Sequence, residues 1–277
     1  MIKKFSFFFF LSLLISCKND KNNSLVSSIN DIPNLSLLET NFSKWWDYQN
    51  KNIELSLIFK SFDEKNKEIT NVDFLTKLES GNYIPINIKK GEIIDDYKLL
   101  RLTSNANIDI QKTIKQIASK QLNNLSKEGE TFPAFELKDI NGNNISNDSF
   151  KNKITIVKCW FINCKACVAE FPELNQLVEN YSQDENISFI SMAFDSKVEL
   201  TEFVQKRPFN FKIISVKKDF LQDQLNINEY PTHLVVNKDG KIEKVFNNSK
   251  TLIKYLEKRI PNSTFEKNTS LAPPPTE

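Results

Sequence analysis

Cys164 and Cys167 are the residues in this 277-residue chain best suited to chemistry. They sit where an apolar, β-branched run from Ile154 to Trp160 gives way to Phe171, Leu174, Leu177 and Val178 at helical spacing. The run predicts a strand buried on both faces, and the chain turns at Asn163. In the first turn of a helix, positions i and i+3 are neighbours, so the two sulfurs can reach disulfide distance. A helix start also stabilises negative charge, which favours the thiolate of the leading cysteine, and Lys165 beside it acts in the same direction. The pattern predicts a redox-active dithiol.

Two other uses of the pair fare worse. A tetrahedral zinc site needs four ligands, and the chain has no second pair at this spacing and one histidine, His233. A purely structural bridge would enclose only Lys165 and Ala166, which constrains the unfolded chain little.

The elements around the pair follow from hydrophobic pattern. Lys3 and Lys4 precede an apolar stretch from Phe5 to Ile15, shorter than the roughly 20 residues needed to span a bilayer. Residues 1–16 therefore read as a cleavable signal peptide. Leu14-Ile15-Ser16-Cys17 resembles the bacterial lipoprotein box, so Cys17 is expected to carry lipid and residues 17–34, rich in Asn, Lys and Ser, to act as a tether. Removing Cys17 from the count leaves Cys159, Cys164 and Cys167. An odd number suits a dithiol plus a spare thiol better than a disulfide framework. Cys159, in mid-strand, reads as a small buried hydrophobe. The net charge of +2, with acids and bases interspersed, gives no basic face for nucleic acid.

Residues 35–126 read as a small accessory α+β domain. It holds Phe42, Trp45, Trp46 and Tyr48, an alternating strand over 53–59, a short helix over 73–78 ended by Gly81, strands over 83–88 and 97–102, and a helix over 108–125. Trp45 and Trp46 read as anchors of its core, and no catalytic motif is present. Residues 127–260 begin with a hairpin turning at Asn141-Gly142. They continue with strands over 154–160, 187–194, 211–216, 230–236 and 242–246, and helices over 197–206, 219–225 and 252–260. This alternation predicts an α/β fold with a mixed central sheet flanked by helices. Residues 261–277 are polar and proline-rich, composition that predicts a disordered tail.

Residues 127–260 resemble the thioredoxin fold, and within it the membrane-tethered thiol–disulfide oxidoreductases of the TlpA/ResA type. The likeness rests on Trp160, the dithiol Cys164-Lys165-Ala166-Cys167, Glu170, Pro172 as a kink in the active-site helix, and Tyr230-Pro231-Thr232 in place of the family's cis-proline loop. The region around Trp45-Trp46 is similar to the N-terminal part of Flavobacteria-type members. The resemblance implies that Cys164 is the nucleophile and Cys167 the resolving thiol, with Glu170 managing the proton; Lys158, pointing toward the dithiol, is expected to hold Glu170 ionised. It further implies that Trp160, Tyr230, Pro231 and Thr232 receive the substrate. It implies no cofactor beyond the dithiol itself, protein disulfides or thiols as substrates, an upstream membrane electron donor, and a monomer facing the periplasm of a Gram-negative envelope. Three positions depart from the family: Asn163 replaces the tryptophan usually before the first cysteine, Lys158 stands where thioredoxin has a buried acid, and Lys165-Ala166 separates the cysteines. They leave the direction of electron flow open, with reduction favoured. A peroxiredoxin would place threonine where Phe161 stands. The rival from another class is a lipid-anchored binding scaffold that has kept the fold without turnover.

Overall fold

The computed structural model describes residues 35–89, 91 and 95–260. The signal peptide, Cys17, the tether and the tail over 261–277 lie outside the described residues.

The first layer starts with two helices, α1 (Leu35–Thr40) and α2 (Phe42–Asn52). Strands β1 (Phe59–Phe62) and β2 (Glu68–Ile69), helix α3 (Asn71–Glu79), strands β3 (Tyr83–Lys89) and β4 (Asp95–Arg101), and helix α4 (Ile108–Leu125) follow. The four strands form a sheet in the order β2-β1-β4-β3. Trp45, Phe74, Ile84, Ile110 and Ile114 are buried together against it. Helix α4 begins where the side chain of Asn107 accepts the Asp109 N–H, a cap readable from sequence.

One strand falls elsewhere than expected. Residues 53–58 are irregular, and the strand is Phe59–Phe62. Ile53 and Leu55 are buried, so the alternation was real, but it belongs to an anchored loop. The Tyr97 hydroxyl accepts the Glu54 N–H at 3.0 Å, and the Glu54 carboxylate accepts the Ser56 N–H at 3.3 Å, which replaces ladder partners with side chains.

The second layer opens with the hairpin β5 (Glu136–Lys138) and β6 (Asn144–Ser146). Then come β7 (Ile154–Trp160), α5 (Lys165–Ala169), α6 (Phe171–Asn180), β8 (Ile187–Ala193), α7 (Lys197–Lys206) and β9 (Lys212–Ser215). A π-helical turn, Phe220–Gln224, occupies the stretch expected to be helical, and β10 (Thr232–Val236), β11 (Ile242–Phe246) and α8 (Ser249–Arg259) close the fold. The sheet order is β11-β10-β7-β8-β9, with β7, β8 and β9 parallel and β10 antiparallel to both its neighbours, β7 and β11. This is the mixed α/β sheet expected, with β7 at its centre.

Every residue of β7 is buried. Ile154, Ile156 and Trp160 face the side covered by α6 and α8, and Val157 and Cys159 face the side covered by Phe132, Phe150 and Leu221. Period-two geometry puts Lys158 on the face shared with Trp160 and the α6 helix.

Candidate redox site

The end of β7 aims the chain at the site. After Trp160 the backbone leaves the sheet through Phe161, Ile162 and Asn163, held where the Ile162 N–H donates to Asp195 Oδ2 at 2.9 Å. Asp195 follows the end of the neighbouring strand β8, so its carboxylate ties two adjacent strand ends together. Cys164 is the N-cap of α5. Its Sγ accepts the Cys167 N–H at 3.2 Å, a bond that favours negative charge on that sulfur.

Cys164 and Cys167 form a disulfide with Cα atoms 5.2 Å apart. Cys164 is 8% exposed and Cys167 0%, while Asn163, Lys165 and Ala166 around them face solvent. The leading cysteine therefore keeps a small opening to solvent, and the second, one turn further in, has none. Cys159 is the free cysteine of the described residues, enclosed on the opposite face of β7, and burial pushes its thiol up to about 12. In the reduced protein at neutral pH, alkylation is expected to run fastest at Cys164, slower at Cys167 and near zero at Cys159. Mass-spectrometric timing of iodoacetamide addition checks this, and equal rates at all three would overturn it.

Helix α5 stops at Glu170, and α6 restarts at Phe171 with Pro172 in its first turn. Proline has no N–H to offer and fits that turn best, so the break falls just before it. The break turns Glu170 inward. Its Oε2 receives Lys158 Nζ at 2.5 Å and lies 3.1 Å from His233 Nε2, while its Oε1 accepts the Ser249 N–H at 2.8 Å. Lys158 and His233 are directly opposite each other in the β7–β10 register, and both are fully buried. Burial alone would raise Glu170, but the hydrogen bond from His233 and the charge of Lys158 outweigh it and hold the carboxyl at about 2. Burial and the Lys158 ammonium push His233 down to about 4 against the pull of Glu170, so its imidazole is neutral at pH 7. Neutral His233 therefore serves Glu170 as an Nε2–H donor, which leaves Nδ1 as an acceptor without a partner among the described residues. Lys158 is lowered by burial, with Glu170 pulling it back.

The residues expected to meet a substrate divide. Trp160 is fully buried, packed against Phe171, Phe203 and Phe209, so its indole cannot touch a substrate. Its place on the α6 face of β7 makes it a support beneath the dithiol helix, which corrects the expectation from the motif. Tyr230–Pro231 is a cis peptide. Tyr230 is half-buried and meets Phe161 at 5.5 Å and Phe194 at 5.7 Å between ring centroids. Phe161 and Phe194 stack at 4.9 Å, completing a half-exposed aromatic cluster on the loop that leads to Cys164. Thr232 is buried, its hydroxyl donating to the Glu229 carbonyl, so only its backbone can face a partner.

Three contributors had no signature in the sequence. His233 joins the cluster through strand pairing, Asp195 through the neighbouring strand end, and Phe194 through stacking on Phe161.

Residues 129–245 match the AhpC/TSA family. The thiol–disulfide oxidoreductase ResA of Bacillus subtilis (strain 168) is 29% identical over 125 residues, covering 45% of this chain and 69% of that protein. ResA of Bacillus thuringiensis subsp. konkukian (strain 97-27) is 26% identical over 137 residues, covering 48% and 79%. Among solved structures, the thioredoxin domain of a thiol–disulfide oxidoreductase from Bacteroides vulgatus aligns with a TM-score of 0.44 at 23% identity, covering 48% of this chain and 97% of that one. A thiol:disulfide interchange protein from Bacteroides sp. aligns at 0.44 and 24% identity, covering 49% and 91%.

Proposed function

We propose, from the premise that residues 129–245 are a thioredoxin-like domain of the AhpC/TSA family with ResA-type thiol–disulfide oxidoreductases among its relatives, that this chain exchanges disulfides with protein substrates through Cys164 and Cys167. The observation that carries the reading is the asymmetry of the pair: an N-capping Cys164 that keeps a small exposure, bonded to a wholly buried Cys167.

In the reductive direction the Cys164 thiolate attacks one sulfur of a substrate disulfide. The substrate S–S bond breaks, one substrate thiolate leaves, and a mixed disulfide forms. Cys167 then loses its proton and attacks Cys164 Sγ; the second substrate thiolate leaves and is protonated. Two electrons have moved from the dithiol to the substrate. An upstream membrane donor would restore the dithiol, and no cofactor other than the Cys164–Cys167 couple is required. Glu170, one helical turn beyond Cys167, is the carboxylate assigned to the Cys167 proton, and Lys158 is assigned to keep it ionised until that step. Tyr230 and the backbone of Pro231 and Thr232 are assigned to the substrate beside the dithiol.

The reading places the protein in the cell envelope, held to the membrane by lipid on Cys17. In the native host the protein should fractionate with membranes, and its mature N-terminus should carry diacylglycerol by mass spectrometry. A soluble protein with an unmodified N-terminus would overturn the anchor without touching the redox reading.

Insulin disulfide reduction by the pure, reduced protein tests the activity. Turnover is expected. No turnover, with Cys164 inert to alkylation, would favour a binding scaffold.

A further inference from the structure

Helix α4 packs beneath the first sheet, yet one face of its C-terminal half touches the segment leading into β10. Lys120, Asn123, Asn124 and Lys127 recur at the spacing that lines one side of a helix. Lys120 Nζ pairs with Glu229 Oε2 at 2.5 Å. Asn226 donates through Nδ2 to Asn123 Oδ1 at 3.1 Å. Asn124, nearly buried, donates through Nδ2 to Asn247 Oδ1 at 2.7 Å, and Asn247 donates through its own Nδ2 to Thr232 Oγ1 at 3.0 Å and towards the Pro231 carbonyl at 3.5 Å. Thr232 Oγ1 passes its hydrogen to the Glu229 carbonyl at 2.7 Å. The chain of amides therefore ends on both sides of the Tyr230–Pro231 segment, whose tyrosine ring meets Phe161, on the loop leading to Cys164, edge to face.

These bonds are more than a seam between two layers. Asn123, Asn124 and Lys120 all meet residues 226–232 or the Asn247 that holds them, whereas the catalytic pair and Glu170 touch nothing from α4 among the bonds described. Buried amides are costly to leave unpaired, so each link fixes the next and the segment is held in one place. A protein substrate needs that loop in position, because an extended chain binds through exposed backbone groups. A small disulfide needs only access to Cys164 Sγ.

Resting on the proposed function, we infer that Asn124 and Asn247 are positioning residues, through which the N-terminal region holds the Tyr230–Thr232 segment for protein substrates. The N-terminal region then sets substrate class, favouring proteins over small thiols, without taking part in the exchange.

The test compares full-length wild type with Asn124→Ala and Glu229→Gln, using insulin as the protein substrate and 5,5′-dithiobis(2-nitrobenzoate) as the small disulfide. The KM for insulin should rise about threefold to tenfold at an unchanged kcat, as expected when binding is lost but chemistry is kept, and rates with the small disulfide should not move. Asn124→Ala combined with Asn247→Ala should raise KM no further than either alone, because the two act through one link. Unchanged KM in variants that melt as wild type does would overturn the inference. So would a parallel loss for both substrates, which marks general support. Should Asn124→Ala not fold, Glu229→Gln decides, since that carboxylate is mostly exposed and its loss leaves no buried group unpaired. Wild type inactive on both disulfides would instead remove the proposed function itself.

Discussion

Cys164→Ser is expected to abolish insulin reduction, a loss of at least about 10³-fold, because a hydroxyl at that position is neither ionised at neutral pH nor able to form the mixed disulfide. Cys167→Ala should behave differently. Its Cys164 still attacks, but nothing buried behind it can release the product, so one substrate equivalent accumulates covalently. The motivation is the placement of the two sulfurs: Cys164 keeps a small exposure and accepts an N–H, while Cys167 is wholly enclosed. Mass spectrometry of the trapped adduct and turnover counts in the presence of dithiothreitol check both variants. Substantial turnover by Cys164→Ser would exchange the roles, and rapid release by Cys167→Ala would point to an outside thiol as the resolving group. The adduct also names the substrate when the trap is run in the host envelope.

What could be read in the sequence was local. Strand Ile154–Trp160, helices Ile108–Leu125 and Lys197–Lys206, and strand Ile242–Phe246 have the boundaries expected, because periodicity and caps are written within a few residues. Ser196 with Glu199 is such a case, a reciprocal capping box at the start of α7. The dithiol and the Pro172 break are local too. Residues 53–58 form no strand, because their alternation serves burial while their N–H groups bond to the Tyr97 hydroxyl and to the loop's own Glu54 carboxylate. Phe42–Asn52 had no assigned element, since its aromatics obscured a helix started by the Asn41 cap. The polar interior was out of reach for a different reason. Glu170 and His233 are 63 residues apart, and only the antiparallel register of β10 on β7 brings them together. A lone histidine in a strand gives no sign of its partner. Trp160 carries the same lesson in reverse, since a motif position does not say whether its side chain faces the substrate or the core.

The buried trio should produce the second large effect. Glu170→Gln leaves the Lys158 ammonium enclosed without its counter-charge, and breaking such a pair costs about 3–5 kcal/mol. Lys158→Met, which fills similar volume without charge, should cost less because Glu170 keeps His233 and the Ser249 N–H. The double variant should be more stable than Glu170→Gln alone, since no uncompensated charge remains. The pH dependence has a fixed sign. Glu170 lies at about 2 when folded against an ordinary 4.5, so its contribution is whole above 4.5 and is lost as pH falls towards 2. His233 lies at about 4 against 6.5; the unfolded chain takes up that proton first, and stability drops as pH falls from 6.5 to 4. Both slopes run the same way, so urea midpoints of the wild type should fall continuously below pH 6.5, and His233→Gln should flatten the upper part of that fall. Kinetics separate structure from proton handling. Glu170→Gln should slow release of the mixed disulfide more than its formation, because only release requires Cys167 to lose a proton, and Lys158→Met should move the pH profile of that same step. The three donors around Glu170 must loosen as it takes the proton, so the step is costly in the wild type and its rate should depend on Lys158. Equal release rates and pH profiles in wild type and both variants, measured by stopped-flow, would leave the trio a purely structural device and send the proton directly to water.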